Sequence, residues 1–297
     1  MDFFEIRTCC PLCSSDEWHQ HFCVDYEQSD LSGFITRSYA HRGGLPEGYL
    51  KGGFYDLNSC HACGLIFQSC IPSGPLLERI YNPIFSEELK RRKSKIKNKN
   101  SMKYVHSEAR QVVKTLKQHR SPIVLDFGVG YGIFAKFILD QGIEVHGTEL
   151  NEEALNIARK KGVKILTNDQ VTKFEYDFIN TEQVLEHVVD PYSVINLLAS
   201  LLKDNGILKI SVPNAKNIIL DKNNLDYDNP KLFGASTPLQ HINVFTDAAF
   251  RYIAKNWDIK FTRPIQFDSK FPVYTLGRTL RRRMTRDSGT GWFKNDC

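Results

Sequence analysis

From residue 104 onward, apolar positions change period at regular intervals. Val105, Ala109, Val112, Val113 and Leu116 recur at helical spacing and predict an amphipathic helix. Residues 123–127, apolar except for Asp126, then read as a buried strand, and 131–141 return to helical spacing. The alternation continues with a strand over 144–149, a helix over 152–161 and a strand over 163–166. After a polar turn come a strand over 177–181, a helix over 191–202 and a strand over 207–212, which Pro213 ends. Strands alternating with helices of this length predict an α/β fold, a doubly wound and mostly parallel sheet covered on both faces.

The flanks read differently. Residues 1–75 are rich in cysteine and aromatics, lack a long helical period, and have turn signals at Gly43-Gly44 and Gly52-Gly53. A short helical pattern follows over 76–81. Residues 214–245 are polar and asparagine-rich, too long for a simple connection and long enough to close as a lid over a ligand. Residues 246–256 predict a helix with Thr246 as its N-cap, and 259–267 with 271–276 an antiparallel pair at the sheet edge. The expected organisation is a module over 1–80, a basic linker over 81–103 and a large domain over 104–297.

Composition and charge narrow the class. The 41% apolar and 25% charged residues are those of a globular chain, with no apolar run of membrane-spanning length and no secretory signal at Met1, so the expected location is cytoplasmic. Of the net charge of +5, eight Lys or Arg residues lie between Lys90 and Lys103, leaving 5 − 8 = −3 for the rest. That argues against a broadly basic nucleic-acid surface.

The candidate chemistry begins at Asp126-Phe-Gly128-Val-Gly130-Tyr-Gly132, directly after one strand and opening a helix. Glycines there permit a tight turn and close approach of a ligand to the backbone. Glu149, 21 residues after Gly128, ends the next strand, where a carboxylate can accept both hydroxyls of a ribose. Two ligands fit that pair of features, a nicotinamide dinucleotide or S-adenosylmethionine. The dinucleotide fingerprint needs a small residue where Ile133 stands, and Asp126 favours a cationic ligand over a pyrophosphate, or fixes the loop. The spacing therefore favours S-adenosylmethionine.

Residues 124–132, Glu149, the run Asp177-Phe-Ile-Asn-Thr-Glu-Gln-Val-Leu-Glu-His187, Leu201–Gly206, and His241-Ile-Asn-Val-Phe-Thr246 together resemble the class I methyltransferase family over about residues 104–262. The resemblance implies a Rossmann-like sheet. Gly128, Gly130 and Gly132 would line the methionine portion of the cofactor, Glu149 would hold its ribose, and Asn168 with Asp169 would lie near the adenine. Thr181 and its neighbours to Val184 would line the sulfonium end. The Leu-Glu-His and His-Ile-Asn-Val-Phe-Thr elements resemble the branch acting on small molecules, sugars and quinone precursors. His187 and His241 are candidates for the base that removes a hydroxyl proton, because imidazole titrates near neutral pH. Glu186 is read as a structural residue that caps a helix or orients a loop.

Seven of the eight cysteines fall within the first 70 residues. Cys10-Pro-Leu-Cys13 and Cys60-His-Ala-Cys63 are two C-x2-C pairs separated by 46 residues. Each offers two thiolates from one turn, and the two turns together complete a closed, structural tetrahedral Zn2+ site. Cys9, Cys23 and Cys70 are read as bystanders, with Cys9 the competitor of Cys10. The module resembles the zinc-binding segment ahead of some bacterial sugar methyltransferases. That implies a small hydroxyl-bearing acceptor, a sugar or nucleotide-linked sugar in glycan or natural-product biosynthesis. The alternatives are an RNA methyltransferase, using the basic run and Arg278–Arg286 on phosphates, and a non-catalytic protein that binds the cofactor.

Overall fold

The computed structural model describes residues 3–40, 43–81, 99–229, 233–257, 259–262 and 273–278. The expected alternation is present. Strands β6 (Ile123–Phe127), β7 (Glu144–Thr148), β8 (Lys164–Ile165), β9 (Tyr176–Glu182) and β10 (Leu202–Ser211) form a parallel array in the order β10-β9-β6-β7-β8. Two antiparallel strands extend it beyond β10: β13 (Val273–Arg278), then β12 (Ile259–Thr262) at the edge. Residues 263–272, part of the expected edge pair, and 279–286 of the basic tail lie outside the described residues.

Alternation along the strands assigns the two faces. Val124, Phe178 and Ile207 pack with helices α3 (Lys99–Leu116), α4 (Ile133–Leu139) and α5 (Glu152–Lys160). Their neighbours Leu125, Ile179 and Leu208 pack with α7 (Pro191–Ser200) and α8 (Asp247–Asn256). This is the two-sided burial that the near-continuous apolar runs require. Local signals set the helix ends: Asn151, Asp190 and Thr246 each accept the backbone N–H three residues on, and Pro191 occupies the first turn of α7. The expected polar turn before β9 contains a short helix, α6 (Asn168–Val171), closed by a reciprocal cap between Thr167 and Gln170.

The cysteine-rich segment builds a second sheet, ordered β11-β4-β3-β2, from β2 (Trp18–Asp25), β3 (Phe54–Cys60), β4 (Ile66–Phe67) and β11 (Asn243–Val244). Its edge strand β11 comes from the far end of the chain. Two short strands, β1 (Phe4–Ile6) and β5 (Cys70–Pro72), pair beside it and lead into helix α2 (Gly74–Tyr81). A helix that sequence periodicity missed, α1 (Ser29–Ala40), buries Leu31, Phe34, Ile35 and Tyr39. Its apolar stripe is short and interrupted by Ser32 and Gly33, and its burial depends on chain two hundred residues away. Phe34 packs on Phe233 at 4.6 Å between ring centroids, and the Tyr55 hydroxyl donates to Ser236 O at 2.7 Å.

The long polar segment is thus fastened to the cysteine module through buried Phe233 and Leu239. Within the expected 81–103 linker, residues 82–98 lie outside the described set, and α3 begins at Lys99. No helix among the described residues is long and apolar enough to cross a membrane.

Candidate active site

The sheet order reverses at β6, whose neighbours β7 and β9 lead to opposite sides, so the crevice outside its carboxyl end is where this architecture binds ligands. The glycine turn lies there. Gly128, Gly130 and Gly132 have φ of 80°, 51° and 68°, a region costly for other residues. A Cβ on Gly128 would lie 2.4 Å from Val184 Cγ2, and one on Gly132 would lie 3.0 Å from Ala158 Cβ. At Gly130 it would meet nothing within 4 Å, so the middle of the turn faces open space.

Glu149 stands across that space and holds the turn. Its Oε2 accepts Gly130 N–H at 2.9 Å, and its Oε1 accepts Leu150 N–H at 2.8 Å and Asn151 N–H at 2.9 Å. The neighbouring Leu150 is 95% exposed, an apolar side chain presented at the rim of the crevice. Sequence reasoning passed over Leu150, although its position beside the acidic strand end was the signal. Asn168 and Asp169 are exposed at the start of α6, beyond the end of β8.

Asp126 is buried beneath the turn and accepts Asn180 Nδ2–H at 2.7 Å. Burial pushes its carboxyl up to about 7. Asn180 Oδ1 accepts from Lys209 Nζ at 3.0 Å, and that ammonium also contacts Glu108 at 2.5 Å and Glu182 at 2.7 Å. Burial alone would lower the Lys209 pKa, but Glu182 and Glu108 outweigh it and raise it. This network under the crevice was not legible in the sequence, because it joins α3, β9 and β10. Thr181 is buried at the end of β9, and its Oγ1 lacks a hydrogen-bond partner among the described residues.

The turn after β9 carries Glu186 and His187 and meets His241 from the long polar segment. The two imidazole centroids are 4.8 Å apart, and Glu186 Oε1 lies 3.9 Å from His187 Nε2. His187 Nδ1 bonds Gln240 O at 2.9 Å and the Tyr81 hydroxyl at 3.1 Å, while His241 Nδ1 bonds Gly234 O at 2.7 Å. Burial, with the neighbouring His187, moves the His241 pKa down to about 4, and burial pushes the Glu186 carboxyl up to about 8.

A clamp reaching back to the N-terminus fixes this cluster. Asn243 donates to Leu185 O at 3.0 Å and Val188 O at 2.7 Å, and its backbone N–H donates to Glu186 O at 3.2 Å. Buried Arg7 donates to Asn243 Oδ1 at 3.0 Å and Val189 O at 2.7 Å.

The four cysteines also meet. Cys10 and Cys63 Sγ atoms are 3.5 Å apart, those of Cys13 and Cys60 are 3.4 Å apart, and all four sulfurs lie within 4.8 Å of one another. Both turns are built alike: Ser14 N–H donates to Cys10 O and Gly64 N–H to Cys60 O, with φ of 58° and 75° at Ser14 and Gly64. Cys9, the expected competitor of Cys10, is not part of the cluster. Thr246 Oγ1 donates to Gly64 O at 2.7 Å, tying the second turn to the start of α8.

A family model described as "Methyltransferase domain" matches residues 101–260. The chain belongs to that family. Curated relatives include the ubiquinone biosynthesis O-methyltransferases of Bordetella avium, 36% identical over 104 residues, and of Aeromonas salmonicida, 31% identical over 102 residues. Each match covers 31% of this chain, and the chain spans only 42% and 43% of those proteins. Among solved structures, magnesium protoporphyrin IX methyltransferase from Synechocystis PCC 6803 is 19% identical at a TM-score of 0.45, covering 61% of this chain and 86% of that one.

Proposed function

We propose that the protein is an S-adenosylmethionine-dependent methyltransferase acting on a hydroxyl of a small molecule. The observation that carries this reading is the glycine turn with its open face at Gly130 opposite Glu149, in a chain that belongs to the methyltransferase-domain family. The cofactor supplies an electrophilic methyl group when bound. Glu149 is the acceptor for its ribose hydroxyls, Gly128, Gly130 and Gly132 form the cradle of its methionine portion, and Leu150 with Asn168 and Asp169 faces its adenine. The Thr181 hydroxyl, without a hydrogen-bond partner among the described residues, faces the reacting end, and Asp126 stiffens the turn from below.

The His187–His241 pair is the group that loosens the acceptor's proton, worth roughly 10²–10⁴-fold as a general base. The larger share of the acceleration comes from holding donor and acceptor in line. The cysteine cluster suits a structural Zn2+, since thiolates about 2.3 Å from one ion sit near the observed separations. Residues 1–80 then form a metal-tied module that supports the acceptor side of the crevice, and reduced thiols of this kind suit a cytoplasmic setting.

The relatives' names support O-methylation, and the resemblance of the cysteine module is what supports a sugar or nucleotide-linked sugar over a phenol. The RNA reading has less behind it, since the chain outside the run Lys90–Lys103 carries a net charge of −3 and offers no broadly basic surface. Calorimetric titration with S-adenosylhomocysteine, with NAD as control, tests the cofactor. Binding of the former alone, weakened by Glu149→Gln at least tenfold, is expected; preference for NAD would overturn the reading. Methyl transfer screened over phenols and sugar nucleotides then fixes the acceptor, and unchanged turnover in His241→Gln would remove that residue from the chemistry.

A further inference from the structure

Buried carboxylates are expensive unless their charge is met, by several kcal/mol per ion even after relaxation. Four of those buried among the described residues have an ionic or hydrogen-bonding partner within 3 Å. Asp56 accepts from Ser69 and Asn58, Asp126 accepts from Asn180, Asp177 is bonded by Lys203 and His119, and Glu108 is paired with Lys209. Glu186 differs. Its side chain is fully buried, and neither carboxylate oxygen has a hydrogen-bond partner among the described residues. It is held in that position from behind, through its own backbone carbonyl and the clamp at Asn243.

What the carboxylate does face is two imidazoles. Glu186, His187 and His241 each bring one ligand-type atom to within 4.8 Å of the others. Both rings are oriented in the same way, with Nδ1 on a backbone carbonyl, Gln240 O for His187 and Gly234 O for His241. An Nδ1–H donated to a carbonyl leaves the lone pair on Nε2, and this is how metal-ligating histidines are usually fixed. Two imidazoles and one carboxylate suit a first-row transition ion, with the remaining positions open to exogenous ligands.

We propose that Glu186, His187 and His241 form a binding site for a divalent first-row transition cation, separate from the cysteine cluster and placed at the acceptor end of the crevice. Ligand bonds of about 2.0–2.2 Å require the three side chains to draw together by roughly an ångström. The proposal rests on the methyltransferase reading for the cation's role, and with the cation bound it replaces the general-base role given there to the histidines. Metal-bound imidazoles do not accept a proton. An acceptor hydroxyl that binds the cation instead becomes more acidic, and its proton passes to water while the oxygen keeps the electron pair.

Manganese is the discriminating probe, because it favours oxygen and nitrogen ligands and does not compete for a thiolate site. The full chain, its zinc content measured, is titrated with Mn2+ while electron paramagnetic resonance follows the free ion, and S-adenosylhomocysteine binding is measured on the same sample. One Mn2+ per chain is expected. Its affinity should fall at least tenfold in Glu186→Gln and in His241→Asn, with zinc content unchanged. If Glu186→Gln does not fold, His241→Asn, whose ring is partly exposed, carries the test. Absence of Mn2+ binding, or the same affinity in both variants, overturns the proposal. A protein that binds S-adenosylhomocysteine but no Mn2+ would sink the cation site and leave the methyltransferase reading standing; one that binds Mn2+ alone would do the reverse.

Discussion

The substitution Gly128→Ala puts two separable strains on the glycine turn. At φ of 80° an L-residue costs about 1–2 kcal/mol relative to glycine. The new Cβ would also stand 2.4 Å from Val184 Cγ2, over an ångström inside the ~3.5–4.0 Å at which carbons rest. Relieving that overlap in a packed turn costs about 1–3 kcal/mol, so the variant should lose about 2–5 kcal/mol in all. Val184→Ala removes the obstructing methyl from a half-buried side chain and by itself should cost about 1 kcal/mol. In the double variant only the backbone strain and the Val184 loss remain, so the two substitutions should couple by about 1–3 kcal/mol in the direction of rescue. That exceeds the ~0.5 kcal/mol scatter of independent sites.

Urea unfolding of the four proteins, compared at equal m-values, measures this cycle. S-adenosylhomocysteine titrations on the same samples should show the double variant recovering part of the affinity lost in Gly128→Ala. The part not recovered belongs to the displaced backbone. Additivity within 0.5 kcal/mol would refute the argument that Gly128 is required by close approach of the turn after β9.

Two further outcomes follow from buried groups. Asp126 has a folded-state pKa raised from 3.8 to about 7, so the protein binds its proton more tightly folded than unfolded. Its contribution to stability is present below pH 4 and is lost as pH rises to about 7; Asp126→Asn should flatten the unfolding free energy across that window, and an unchanged pH profile would contradict the assignment. Cys60→Ser removes one sulfur from a cluster that shares its apolar core with Leu125 of the large sheet and Phe250 of α8. Its expected signature is loss of about one zinc per chain, with the unfolding midpoint falling cooperatively for both sheets; a midpoint indifferent to the metal would remove the structural role.

The sequence by itself determined whatever depends on neighbours a few residues apart. Apolar runs and helical stripes located β6 to β10 and helices α4, α5 and α7 between them, because a two-sided sheet needs near-continuous apolar strands. Thr246 was recognisable as a cap, since the N–H that its side chain accepts belongs to Ala249, three residues on. The glycine turn with Glu149 and the two cysteine pairs were legible for the same reason: a turn and a pair of ligands from one turn are local chemistry.

The tertiary structure decided what depends on contacts made across the chain. Helix α1 is stabilised by Phe233, and β11 closes a sheet whose other strands come from residues 18–67. Arg7 holds Asn243 across 236 positions, and together they fix the turn of Glu186. The sequence marked Glu186 as a structural residue beside two candidate bases. Only burial without a hydrogen-bond partner among the described residues, opposite two imidazoles held by backbone carbonyls, supports the cation-binding role proposed for that carboxylate, and burial is set by the elements packed around a residue rather than by its neighbours in the chain.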